Sequence, residues 1–195
     1  PVTLLQHDEA KEKGAKATNK TGYWVPFACE RADVRFKHIS VGSYGHVWAI
    51  AENGDVYRLQ DSLLKRFCMK PGLTCSWLSA GLDGTVVFIA QQAKSYVFRN
   101  ETWFRFSAAP ALTKIAVANK RLMWGLDSLR ALWKFDSGRW YQVTSKKAGT
   151  MQSFTDIALN AAGSVFAIGA NGSLYANGEK GTPIKFVQSV LRASS

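Results

Sequence analysis

A chain of 195 residues with 47% apolar content and five prolines is long enough to bury one core, which excludes an unfolded chain. Twenty-five Lys and Arg against fourteen Asp and Glu leave a net charge of +11, suited to polyanionic or acidic partners. No run of eighteen apolar residues exists to cross a membrane as a helix, and three cysteines without C-x-x-C spacing argue against a disulfide framework or a zinc site.

Residues 1–20 are expected to form a basic, flexible arm. Their opening PVTLLQHDEAKEKGAK has a short apolar start followed by charges, the wrong order for a secretory signal. The expectation is a cytoplasmic chain or one of undetermined compartment. The remaining residues, 21–195, read as one domain in which WVPF at Trp24 is the first of several similar short strands. Seven Trp and an aromatic share of 12% favour strands over helices.

From His38 the stretch HISVGSYGHVWAIAENGDVYRL returns in register three more times, with anchors at Ile39, Leu78, Ile115 and Ile157. Two residues beyond each anchor stand Val41, Ala80, Val117 and Leu159, separated from the anchors by the small residues Ser40, Ser79, Ala116 and Ala158. Such alternation predicts a tightly packed strand. Glycine comes next at 45, 84 and 163, with Arg121 as the exception, and implies a turn residue with positive φ.

A second strand places Trp48, Val87, Trp124 and Phe166 in one column and Ile50, Ile89, Leu126 and Ile168 two residues on. Asn53-Gly54 and Asn171-Gly172 then signal hairpins, a signal lost from QQAK and SLRA in the middle units. A third strand carries Tyr57, Tyr96, Trp133 and Tyr175, and a fourth carries Leu64, Trp103 and Trp140. Counted from the tryptophan strands, the units fall near 24–60, 64–99, 103–136 and 140–177, with a closing strand near 184–190. Four short strands per repeat of about forty residues are the pattern of β-propeller blades. The fold expected is therefore all-β, a propeller of four-stranded antiparallel blades with four units visible and ring closure open. Repeated aromatics are needed because each blade must fill a similar wedge against its neighbour.

The sequence ISVGSYGHVWAIAENGDVY, the W-x-x-F or W-x-x-V strand ahead of it, and the echo IALNAAGSVFAIGANGSLY resemble the tectonin repeat family over residues 24 to about 187. The resemblance implies a β-propeller without catalysis in its repeats. It implies a lectin for microbial surface glycans, or an intracellular scaffold for proteins or membranes. Its motif residues carry over as core: Trp48, Trp124, Phe166, Tyr57, Tyr96 and Tyr175.

His7, His38 and His46 have no carboxylate or nucleophile at a telling spacing, and no phosphate-binding loop, metalloprotease or nucleophile-elbow motif occurs. Ser43 in VGSYG opens a repeat turn. No enzyme, metal or cofactor is expected. Binding residues should lie in the loops between blades, which share a face with the Asn-Gly turns and vary most in length. That face offers Arg31, Lys70, Lys146 and Lys147 as cations and Asn53 and Asn171 as amides. Tyr44 and Tyr141 are the aromatics outside the repeated core columns that could stack on a ligand. The expected partner is a glycan such as lipopolysaccharide, with a protein or an anionic lipid as the alternative. Nucleic acid ranks below these, since basic and aromatic residues do not interleave on one element. Uncovered terminal strands could also pair with another copy.

Overall fold

The computed structural model describes residues 26–43, 46–67, 73–143, 153–160, 162–177 and 185–187. Strands β1 (Ala28–Cys29), β2 (Phe36–Val41), β3 (Val47–Ala51), β4 (Val56–Gln60) and β5 (Leu63–Phe67) form the first sheet. The second holds β6 (Cys75–Ala80), β7 (Val86–Ala90), β8 (Ser95–Arg99) and β9 (Thr102–Arg105). The third holds β10 (Leu112–Asn119), β11 (Leu122–Asp127), β12 (Leu132–Asp136) and β13 (Arg139–Val143). The fourth holds β14 (Phe154–Leu159), β15 (Val165–Gly169), β16 (Leu174–Asn177) and β17 (Lys185–Val187).

Strands β2–β5 and the four strands of each other sheet form antiparallel meanders, and the four sheets stack as blades of a β-propeller. A single 3-10 turn at Gln91–Ala93 is the one departure from strand and loop among the described residues. Sheet boundaries fall one strand later than the units counted from sequence. The strand of Leu64, Trp103 or Trp140 pairs with the three strands before it, because a two-residue hairpin joins it to them and a longer loop separates it from the next blade. Strand β17 pairs antiparallel with β16 at the edge of the fourth sheet. Strand β1 adds to the outer edge of blade 1 in parallel, Ala28 opposite Leu63.

The core lies between blades. Trp48, Ile50 and Val56 on the front of blade 1 pack with Cys75, Leu78, Val86 and Phe88 on the back of blade 2. The junction is filled by aromatic rings, Trp48 lying 5.1 Å from Phe98 and 5.7 Å from Trp103 in edge-on geometry. Blades 2 and 3 meet through Val87, Ile89 and Val97 against Leu112, Ile115 and Met123. Blades 3 and 4 meet through Trp124, Leu126 and Leu132 against Phe154, Ile157 and Val165.

Trp48, Trp124, Tyr57, Tyr96 and Tyr175 are buried as the repeat columns require. Phe166 is not. It stands on the front of blade 4, where no further blade covers it among the described residues, so its side chain is exposed although its column is core elsewhere.

Polar staples reinforce the junctions at a β-bulge that recurs just before each anchor. His38 Nε2 lies 2.7 Å from the carbonyl of Leu78, Trp77 Nε1 donates to that of Ile115, and Lys114 Nζ donates to that of Thr155. Two positions beyond His38 and Trp77, Ser40 and Ser79 accept the backbone N–H of Ala80 and Val117 in the next blade.

Candidate binding surface

The turns between second and third strands share a face with the segments entering each blade. Gly54 accepts the N–H of Cys75 through its carbonyl, and Arg130 accepts that of Phe154. This is the face on which loops and Asn-Gly turns were expected together.

On blade 1 it holds a pocket of about 210 Å³ whose walls include Arg31, Arg35, Glu52 and Asn53. Two of the expected residues, Arg31 and Asn53, therefore come together. Arg31 is engaged by Asp33, Nε to Oδ1 at 3.1 Å and Nη2 to Oδ2 at 2.7 Å, and this hydrogen-bonded pair holds the Asp33 carboxyl below the usual carboxylate range. Asn53 shapes its own turn: its Oδ1 accepts the N–H of Asp55 and its Nδ2 donates to the Asp55 carboxylate. Arg66 takes the other Asp55 oxygen at 2.8 Å and is the main cause of that carboxyl's lowered pKa. Tyr57, although it borders the pocket, is buried edge-on against Phe36 at 5.2 Å, and burial raises its phenol above the ordinary value. It offers no stacking platform.

The other expected residues are dispersed. Asn171 repeats the turn-forming role on blade 4, its Oδ1 accepting the N–H of Ser173. Tyr141 is exposed on the outer strand of blade 3, opposite Lys134. Tyr44, Lys70, Lys146 and Lys147 lie outside the described residues.

Leu129 and Arg130, at the corresponding turn of blade 3, were missed by the sequence reading. Leu129 is 81% exposed, and the turn carrying it is fixed by Asp127, whose Oδ1 accepts the N–H groups of Leu129 and Ala131 while its Oδ2 accepts Trp133 Nε1. The signal was the substitution of SLRA for NG: an apolar residue at a turn tip where the outer units carry polar ones.

The cysteines offer no reactive cluster among the described residues. Cys75 is buried and its thiol is pushed up to about 12 by desolvation, while Cys29 is half-buried. Among the described residues no group of three or more His, Cys, Asp or Glu is placed to hold a metal ion, and no helix is long and apolar enough to cross a membrane.

No family model matches the chain, and no curated protein matches its sequence. Solved structures do match by shape. Human WBSCR16 superposes with a TM-score of 0.60 at 10% identity, over 75% of this chain and 48% of that one. YCF48 bound to D1 peptide gives 0.59 at 14% identity, over 85% and 57%, and YCF48 from Cyanidioschyzon merolae gives 0.55 at 10%, over 82% and 61%. The shared fold is the β-propeller. At these identities the likeness is one of architecture, and the chain spans less than two thirds of each of these three structures.

Proposed function

We propose that this chain is a non-enzymatic binding propeller of the tectonin type that docks an acidic polypeptide on the face carrying Arg31, Arg35 and Arg130. The supporting observation is Leu129, held out into solvent by the Asp127 hydrogen bonds with the exposed Arg130 beside it. A rigid apolar tip next to a cation suits a partner that presents an apolar side chain among carboxylates. The YCF48 structure with its bound peptide supports the reading at the level of fold, as a similar propeller that holds a polypeptide.

A peptide array of acidic and neutral sequences tests it. Acidic peptides should be retained by the chain and lost by Leu129→Asp with Arg130→Glu. Retention unchanged by that pair would remove the proposal.

A glycan is the second reading, supported by the meeting of Arg31 and Asn53 in one polar pocket and by the net charge of +11. The chain would then bind acidic surface glycans, lipopolysaccharide among them. A glycan array at low and physiological salt separates the readings, a blank at both salts eliminating the second. Flotation with anionic liposomes, using Lys146→Glu with Lys147→Glu as control, tests the membrane form of the scaffold.

A further inference from the structure

Blade 1 carries an extra strand on its outer edge, and the way that strand is held shows what such an edge accepts. Strand β1 runs parallel to β5, with Ala28 opposite Leu63 and Cys29 opposite Leu64. Glu30 donates its backbone N–H to the Leu64 carbonyl at 3.0 Å, and its carboxylate accepts the backbone N–H of Arg66 at 2.7 Å. Main-chain groups that β5 turns away from its own sheet are thus satisfied by an extended segment that ends in a glutamate.

The outer strand of blade 2 repeats this edge, with no strand added to it among the described residues. The hairpin registers match. Gln60 faces Leu63 in blade 1 and Arg99 faces Thr102 in blade 2, so Trp103 and Arg105 stand where Leu64 and Arg66 stand. Phe106 donates its N–H to the Ser95 carbonyl, which sets the alternation of the ladder. Thr102 and Phe104 therefore bond inward to β8, and the main-chain groups of Trp103 and Arg105 point outward.

The side chains separate the filled edge from the open ones. After Leu64 the filled edge has Lys65, paired with Asp61, whereas blades 2 and 3 have aromatic rings at that position, Phe104 at 49% and Tyr141 at 53% exposure. Lysine guards a sheet edge against pairing, while an exposed ring offers a surface on which a new strand packs. Arg99 and Arg105 are exposed at either end of β9, and neither has an ion pair among the described residues. Their charge favours an acidic occupant. Residues 144–152 follow β13 directly and lie outside the described residues, so the assignment is confined to β9.

We propose that the outer edge of blade 2 binds an extended acidic segment of another polypeptide by parallel strand addition to β9. The segment places a small or apolar residue opposite Trp103 and a glutamate next in sequence. That glutamate gives its N–H to the Trp103 carbonyl, lays its stem along Phe104 and accepts the Arg105 N–H, as Glu30 does at Leu64 and Arg66. The chain's own segment of this kind is taken up by β5, so the occupant is a different polypeptide. Leu129 and Arg130 belong to another blade, so this site and the loop tip fail or stand separately.

The probe is a labelled peptide copying residues 26–35 with Cys29→Ser, titrated by fluorescence anisotropy into the full 195-residue chain. Saturable binding is expected at peptide concentrations up to about 1 mM. Arg105→Pro deletes an outward N–H without removing a rung between β8 and β9, and should weaken binding at least about tenfold. Arg105→Ala keeps the N–H and loses only an exposed charge, so its effect should stay under about threefold. Glu30→Ala in the peptide should match the proline variant. Hydrogen exchange read by NMR on the unaltered chain locates the site without any variant: the amides of Trp103 and Arg105 should slow on adding peptide while those of β5 stay unchanged. No binding up to that concentration, equal losses from Arg105→Ala and Arg105→Pro, or exchange changes at β5 in place of β9 would each overturn the proposal.

Discussion

Trp48 lies among Phe67, Phe98 and Trp103, with the Arg58 guanidinium 5.3 Å from its ring, so nearly all its surface is removed from water. Truncation there opens a cavity in the first junction. Trp48→Ala should cost about 3–5 kcal/mol in urea denaturation, whereas Phe166→Ala should cost under about 1 kcal/mol. Charge adds a pH effect at Asp55. Its hydrogen bond from Arg66 lowers its pKa in the folded state below that of the unfolded chain. The stabilisation is therefore complete above the unfolded carboxyl value near pH 4 and fades as pH falls through the lower folded value. Asp55→Asn should flatten that part of the stability curve, measured by denaturation between neutral pH and about pH 3.

At the scale of the element, the innermost strands do more than alternate. Ser79 supplies the acceptor for the N–H of Val117, so Ser79→Ala should leave that donor unsatisfied and cost about 1–3 kcal/mol, while Ala116→Ser, at the same repeat position of blade 3, gives a control without a lost bond. Turn chemistry obeys backbone geometry rather than the Asn-Gly signal alone. Gly54 and Gly172 adopt positive φ as their motifs require, yet in blade 2 the same turn places Gln92 at φ 64° and Ala93 at φ 55°. An alanine there carries the Cβ penalty of the left-handed region. Ala93→Gly should raise stability by about 0.5–1 kcal/mol, read as a higher melting temperature. The hairpins at Asp61-Ser62 and Asn100-Glu101 likewise have two positive φ values without glycine, which explains why they gave no turn signal in the sequence.

Across the whole molecule, protection should track the number of covered faces. Blades 2 and 3 are packed by a blade on both sides; the back of blade 1 is covered by Phe27, Cys29 and Val34 over Ala49, Ala51 and Tyr57 but leaves Phe36, Ile39 and Val41 exposed, and the front of blade 4 leaves Phe166, Ile168 and Leu174 exposed. Hydrogen exchange read by mass spectrometry under dilute conditions should find β7, β10 and β11 slowest and β2, β15 and β16 earlier to exchange. Uniform protection across the four blades would contradict this difference in covering.

The repeat columns determined that the chain is all-β, that it is built from four-stranded blades, and which aromatic positions fill the junctions, because period-two alternation and recurring bulk are local properties of the strand. Arg31 and Asn53 were legible as residues of one face for the same reason: loop order around a blade is set by strand order. Their use was not. Asp33 and Asp55 engage both side chains, and Leu129 became conspicuous only once its turn stood clear of the sheet. Tertiary structure alone decided that Phe166 and Ile39 are exposed while their repeat equivalents are buried, since a column records what a position can pack against and burial requires a neighbouring blade to be there.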